Sequence, residues 1–546
     1  MITESSSYMG LDTNLINQLR FEPLSDEQIN AILINEFGPF LTSTGYPHLD
    51  AQAKTAYSDF ATDRFRRANQ ELKLTILRSF RVLLRELDNI SNLVTTTVPY
   101  FIIQASGLNE EGKVVDDFEV VMEGCRCLVN GLKQSEDIRR VFISDDCLFV
   151  SHLAERIITT SLQIFNPKVE QPIFVNHNLQ KIIELLYLDL RIAFAITALC
   201  QEARSRITQQ INFFIGVIHK FAAQVSIPNS DNPMKLECIN ETLKILFNAF
   251  YSQTPVESST ARLCAQECAQ LVKSPFIPDN VKHDAVNVLS HIISQIHVLC
   301  PPVDEDQVTN DMVVYEGYDV TFVKCLLDLL EKKLDELSQA DLELLIIYFG
   351  ILTLLSKDNK AVRRYCRQRI LPPLRANDVE RPPEEGNAFR NKMIRVMTKS
   401  VGNVKRLVAD FLFILCKRSV NRMIKYCGFG HSAGLLADYG FLGRVSEGRR
   451  ASDSEDSETE DYKQVEGSVN PVTGYVQQER RNPFDYMTEE QKEYEAMKLA
   501  NTMDKLLDSG VFLPGRIGPD GKPQAVSHVN ELVKDVHIES DHSDTD

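Results

Sequence analysis

The residues with most chemistry to offer are clustered arginines, acid-flanked serines and a run of glycines. From Lys357 to Lys425 there are 18 Lys or Arg against 6 Asp or Glu. Arg363, Arg364, Arg367 and Arg369 fall within seven residues of that stretch. Some thirty residues beyond it comes the acidic segment 452–461 (SDSEDSETED). Ser452 has Glu455 three residues on and Ser457 has Glu460, the local pattern that an acidophilic kinase of the casein-kinase-two type reads. Ser454 and Thr459 lack an acid at that offset. A phosphate adds roughly −1.5 to −2 charges and accepts bidentate bonds from arginine. The expected chemistry is therefore ionic, with phosphorylated Ser452 and Ser457 held on Arg363, Arg364, Arg367 and Arg369.

Motifs for covalent chemistry are missing. The chain carries no G-x-x-x-x-G-K-[ST], no G-x-S-x-G and no H-E-x-x-H. The run Gly428–Gly434 (GFGHSAG) falls one residue off a dinucleotide fingerprint and follows a helix pattern instead of a strand, so it reads as a helix-stopping loop. Cys264 and Cys268 are four apart without further ligands nearby, which disfavours zinc. No cofactor or metal is expected, and the chain reads as a non-enzyme.

The elements that must position these residues are helices. From about residue 10 to 425, apolar residues recur three and four apart. Segments such as 123–132 (EGCRCLVNGL), 189–199 (DLRIAFAITAL) and 241–250 (ETLKILFNAF) look alike. Equivalent positions Arg85, Asn130, Ala198, Asn248, His291 and Leu354 are separated by 45, 68, 50, 43 and 63 residues. The shorter steps match an armadillo or HEAT repeat. The fold class expected is all-α, an armadillo/HEAT-like α-solenoid over 1–443, whose repeats bury their apolar faces by stacking. Asn130 and Asn248 then fall on a groove, where an amide offers both donor and acceptor to a partner's backbone. The alternative is that each asparagine caps a helix or satisfies a loop.

Prolines at 301–302, 372–373 and 382–383 interrupt the pattern. Residues 444–485 lack apolar periodicity and read as a disordered acidic linker. Thr488–Gln491 (TEEQ) forms a capping box, and Ala496, Leu499, Ala500, Met503, Leu506 and Leu507 make one apolar stripe, so 486–509 is expected to be an amphipathic helix. Residues 510–546 read as mostly disordered, with a short helix possible near 528–534.

Composition bounds the remaining classes. The 546 residues carry a net charge of −17. Residues 446–546 hold 23 acidic and 11 basic side chains, so the body is close to neutral and the tail acidic. Nucleic-acid binding is disfavoured on that balance. The start has neither a basic region nor an apolar core, and the longest apolar run, Leu344 to Leu355, is 12 residues, against the ~20 needed to cross a bilayer. No direct membrane insertion is expected. The 12 cysteines, scattered through apolar stretches, suit a reducing, cytoplasmic setting as small core residues. There is no Trp, which lowers the alternative of an armadillo-type adaptor or scaffold that binds peptides through Trp–Asn pairs.

Several blocks together resemble the synembryn (resistance to inhibitors of cholinesterase) family. They are 370–375 (ILPPLR), 390–398 (RNKMIRVMT), 408–417 (VADFLFILCK), 425–437 (KYCGFGHSAGLLA), 460–463 (EDYK) and 482–506 (NPFDYMTEEQKEYEAMKLANTMDKL). The resemblance implies a folding chaperone and guanine-nucleotide exchange factor for Gα subunits. It would bind GDP-loaded or nascent Gα, apart from Gβγ, and hold the nucleotide-free state until GTP enters. By the same resemblance, the helical groove holds the C-terminal helix of Gα, and the segment 483–507 reaches the nucleotide-binding domain. Family phosphorylation in the acidic linker maps onto Ser452 and Ser457. The residues then expected to touch Gα are Asn130 and Asn248 as backbone clamps, Arg78, Arg81 and Arg85 for the terminal carboxylate, and Met497, Met503 and Leu506 on the distal helix. The expected location is the cytoplasm, extending to the cell cortex through Gα.

Overall fold

Several helices begin where a side chain supplies a cap. Asn69 Oδ1 accepts the Leu72 amide at 3.0 Å and opens α1 (Gln70–Leu83). Asp117 does the same at 2.9 Å for α2 (Phe118–Gln134), and Asn178 at 3.0 Å for α3 (Leu179–Leu199). Such a side chain satisfies one of the four amides that a helix leaves unpaired at its start. The structure, a computed structural model, describes residues 11–88, 90–108, 117–144, 148–166, 178–227, 233–251, 256–336, 338–400, 402–441, 459–477, 487–508, 515–518 and 522–525.

Among the described residues the architecture is all-α, an armadillo/HEAT-like α-solenoid in which strands are confined to three short two-stranded hairpins. Successive inner helices pack on each other: α1 on α2, α2 on α3, and α3 on α4 (Pro233–Tyr251). Their buried residues recur at three and four, as Leu72, Ile76, Phe80 and Leu83, then Val121, Cys125, Leu128 and Leu132, then Ile183, Leu186, Leu190 and Ala193. That periodicity places one apolar stripe toward each neighbour. Gly124 lets α2 approach the helix Val98–Ala105, because a Cβ there would stand 2.3 Å from the Ala105 carbonyl oxygen.

The chain divides into two compact units between Val298 and Leu299, a boundary that the sequence reading of 1–443 as one solenoid did not mark. Pro301 and Pro302 end the helical pattern at that point. In the second unit a 310 turn, Ala376–Val379, and the surrounding proline-rich loop are held by Arg390, which donates to Asp378 O at 2.7 Å, and by Asn391, which donates to Pro383 O at 2.8 Å.

The acidic linker expected over 444–485 is also not uniform. Residues 459–477 fold into a short helix, Glu460–Val465, and a hairpin pairing Val469 with Val476 and Asn470 with Tyr475. Burial of Tyr462 supplies the apolar contact that composition alone hid. In the tail, Gly515–Ile517 pairs with Pro523–Ala525. Residues 528–534 lie outside the described residues.

One ionic contact sits deep in the first unit. Arg156, from the helix Phe149–Phe165, donates to Asp189 of α3 through Nε at 2.9 Å and Nη2 at 2.5 Å, and to the Ser106 carbonyl at 2.6 Å. Both side chains are buried. Burial alone would lower the arginine's affinity for its proton, but the Asp189 carboxylate outweighs that and raises it. Eleven cysteines are described, none of them in a disulfide and ten of them buried. Burial pushes the thiols of Cys125, Cys366 and Cys416 up to about 12.

Arg156→Met leaves the Asp189 carboxylate buried without its partner. Urea unfolding of this variant is expected to show a loss of about 3–5 kcal/mol. A loss below about 1 kcal/mol would mean that water or another donor takes over the carboxylate.

Candidate binding site

A cleft of about 360 Å³ opens on the stacked helices α1, α2, α3 and α4. Its lining includes Arg81, Arg85, Arg126, Asn130, Glu184 and Arg191. These polar residues form a chain. Arg81 Nε lies 2.6 Å from Glu123 Oε1, Arg126 Nη1 lies 2.9 Å from Glu123 Oε2, and Arg126 Nη2 lies 2.5 Å from Glu184 Oε1. Arg191 donates to the Tyr187 hydroxyl at 3.2 Å and sits over that ring. Arg85 Nη1 donates to the carbonyls of Phe40 at 2.9 Å and Ser43 at 2.7 Å. Burial and then the neighbouring Arg81 charge lower the Arg85 guanidinium's proton affinity, so cations crowd this wall. Lys133 is lowered by burial and by Arg191. Guanidiniums outnumber carboxylates in the lining, and their planes are fixed by neighbours before any ligand arrives. Such a wall suits a terminal carboxylate or backbone carbonyls.

Asn130 stands in this cleft as expected. One of its amide hydrogens goes to the Arg81 carbonyl at 3.1 Å, which leaves the second N–H and the oxygen for a partner. Arg81 and Arg85 line the same space, whereas Arg78, one turn earlier, is exposed and is not part of the lining. Asn248 departs from the groove-clamp expectation. It is 8% exposed and donates to Thr197 Oγ1 at 3.0 Å, so it ties α4 to α3. Sequence reasoning missed Glu123, Arg126, Glu184, Tyr187 and Arg191. Their signal is a charged residue recurring inside otherwise apolar helices, as in Glu123 and Arg126 three apart.

Three further helices bear on function, α5 (Lys360–Ile370), α6 (Glu460–Val465) and α7 (Glu489–Asp508), and the last of them is the second surface. Its capping box is formed: Thr488 N donates to Gln491 Oε1 at 3.1 Å, and Gln491 N to Thr488 Oγ1 at 3.3 Å. Met497 is 67% exposed, Leu499 61% and Leu506 41%, while Met503 is half-buried. At roughly 100° per residue, Leu499, Met503 and Leu506 share one face, and Met497 joins Tyr494 on the other. Exposed apolar side chains on both faces mark a helix made to be covered.

The basic run lies on α5, whose Asn359 cap accepts the Ala361 amide at 2.8 Å. It is not an open row of cations. Arg364 Nη1 holds both Glu316 oxygens, at 3.0 and 2.9 Å, and Arg369 holds Asp328 at 2.8 Å. Arg363 donates to the Ser356 carbonyl at 3.4 Å, and Arg367 hydrogen-bonds the Tyr426 phenol. Burial raises the Asp328 carboxyl, but the bonds from Arg369 and Lys324 outweigh it and hold it below its usual range. A phosphate arriving here would compete with carboxylates already seated. Ser452 and Ser457 lie outside the described residues. The near-dinucleotide run is likewise occupied: the Phe429 and Gly430 amides donate to Pro471 O and Val472 O, each at 2.8 Å. Among the described residues no group of three or more His, Cys, Asp or Glu could hold a metal ion, and no helix is long and apolar enough to cross a membrane.

A family model described as guanine nucleotide exchange factor synembryn matches residues 67–522. The chaperone ric-8 of Caenorhabditis elegans is 33% identical over 509 residues, covering 85% of this chain and 87% of that protein. Chaperone Ric-8A of Danio rerio is 32% identical over 507 residues, covering 87% and 88%, and that of Gallus gallus is 31% identical over 501 residues. Among solved structures, a Kap121p mutant aligns with 79% of this chain and 40% of its own, at 11% identity and a TM-score of 0.28.

The two asparagines should separate in urea unfolding. Asn248→Ala removes a buried bond between α4 and α3, although Thr197 Oγ1 keeps its own bond to the Ala193 carbonyl at 2.9 Å, and is expected to cost about 1–2 kcal/mol, whereas Asn130→Ala, at the half-exposed rim, costs about 1 kcal/mol or less. A reversed order would put Asn248 on the open surface instead.

Proposed function

The chain belongs to the synembryn guanine nucleotide exchange factor family, and from that premise we propose that it is a folding chaperone and exchange factor for monomeric Gα subunits. The observation that carries this reading is that the family match spans both recognition surfaces, the cleft at 81–234 and the helix α7. Exchange requires no covalent step. It requires a protein that binds the empty GTPase better than the loaded one, and that preference is a coupling free energy. Each ~1.4 kcal/mol of preference weakens nucleotide binding tenfold. The cleft supplies fixed guanidiniums and Asn130 for the carboxylate and last carbonyls of the Gα C-terminal helix. Drawing that helix away loosens the guanine pocket. The apolar faces of α7 cover surface that the opened nucleotide domain exposes. Two contacts on one client reinforce each other because the second is intramolecular. When GTP enters and the nucleotide domain closes, that second contact is lost and the client leaves.

The client is monomeric or nascent Gα, since Gβγ would contest the surface that α7 covers. Phosphorylation of Ser452 and Ser457 by an acidophilic kinase would add charge to the segment leading to α7. The protein works in the cytoplasm and reaches the cell cortex only as its lipidated client carries it.

Loading of a fluorescent GTP analogue onto purified Gα, with and without this chain, tests the reading. The double variant Met503→Asp with Leu506→Asp should lose the acceleration while binding a Gα C-terminal peptide as before. Asn130→Ala should weaken that peptide about five- to tenfold, or roughly 1–1.4 kcal/mol, by fluorescence anisotropy. Equal affinity for nucleotide-loaded and nucleotide-free Gα would overturn the proposal.

A further inference from the structure

The stretch between Phe441 and α7 contains a built attachment to the second unit. Tyr462 of α6 is 3% exposed, and the Lys425 ammonium lies 4.6 Å from the centre of its ring. Thr459 Oγ1 donates to the Leu374 carbonyl, and the Ala376 amide donates to Asp461 Oδ2 at 3.2 Å. The hairpin that follows accepts the Phe429 and Gly430 amides through Pro471 and Val472. Two glycines meet at this seam. Gly428 has φ +78° and a Cβ there would stand 3.0 Å from the Thr473 carbonyl carbon, while a Cβ on Gly474, at φ +79°, would stand 2.7 Å from Pro383 Cγ. Ordering a backbone residue costs about 1–2 kcal/mol, so a segment needed only as a spacer gains nothing by docking.

We infer that residues 459–477 are a mooring that sets the working radius of α7, with Tyr462 as its positioning residue. This rests on the proposed exchange role. Ten residue steps lead from Gln477 to Met487, at the foot of α7. Fully extended, they span at most roughly 33–36 Å. Were the mooring released, the last fixed point would be Phe441, 46 residues from Met487. The extended limit then grows to roughly 150–165 Å. Effective concentration falls as about the −3/2 power of contour length, which makes the released arm about tenfold less concentrated at its target. The cation–π contact, the buried ring and the backbone bonds together keep the arm short. Tyr462 touches neither client surface and acts only by fixing where the arm starts.

Two changes to the full-length protein test this. Tyr462→Ala should release the mooring. Separately, twenty Gly and Ser residues inserted after Gln477 leave the mooring docked but triple the contour, predicting about a fivefold loss. Tyr462→Ala should slow GTP-analogue loading about tenfold, and both should bind a Gα C-terminal peptide within twofold of the parent. Spin labels introduced at Gln368 and Glu493 through unnatural amino acids give the reach of the arm without any Gα. Their distance distribution should broaden and lengthen in Tyr462→Ala. An unchanged distribution in that variant, or an insertion that leaves loading at the parent rate, overturns the mooring. A parent protein that fails to accelerate loading sinks the exchange role instead, and the spin-label distances still decide whether Tyr462 moors the arm.

Discussion

No helix of the first unit can hide its apolar stripe alone, and mutual burial of those stripes is the constraint on which the binding surface depends. Once α1, α2, α3 and α4 have packed through Phe80, Leu128, Leu190 and Leu246, the residues between the stripes have one direction left. Arg81, Arg126, Glu184 and Arg191 therefore converge on a single cleft although they are distant in sequence. The apolar core thus decides where charge goes, and the charges then fix each other: Glu123 alone holds two guanidiniums. A wall arranged before binding loses less freedom when a ligand arrives.

Much of this was legible before any coordinates. The three-and-four periodicity announced helices, the uneven spacing of repeats announced a degenerate solenoid, and Thr488 with Gln491 announced the start of α7. Asn130 was expected on an open surface because a polar residue recurs near the end of inner helices, and it shares a cleft with Arg81 and Arg85. The same rule failed at Asn248, whose amide is buried and spent on Thr197 of the neighbouring helix, a long-range bond that repeat spacing does not reveal. The carboxylates that the α5 arginines already hold were hidden for a related reason. Charge density along a sequence cannot show that Glu316 and Asp328, some 40 to 50 residues away, have already claimed them. The fold of 459–477 escaped notice because it rests on one buried tyrosine and on backbone bonds, neither of which leaves a periodic trace.

The two surfaces differ in kind, and the difference suits a machine that must bind and let go. The cleft is polar, rigid and shallow, good at orienting a peptide end but modest in strength. The helix α7 is apolar and exposed, so what it gains on being covered scales with area and is indifferent to sequence detail.

The thiols buried along both units have a consequence of their own. Burial raises the thiols of Cys125, Cys366 and Cys416 far above the ordinary cysteine range, so little thiolate forms there at neutral pH, and it is the thiolate that reacts. The folded protein is accordingly silent to alkylating reagents at these sites, while an opened one regains the ordinary reactivity of cysteine. A chain that tends the folding of others thus carries, in its own core, a built-in chemical record of whether it has itself come undone.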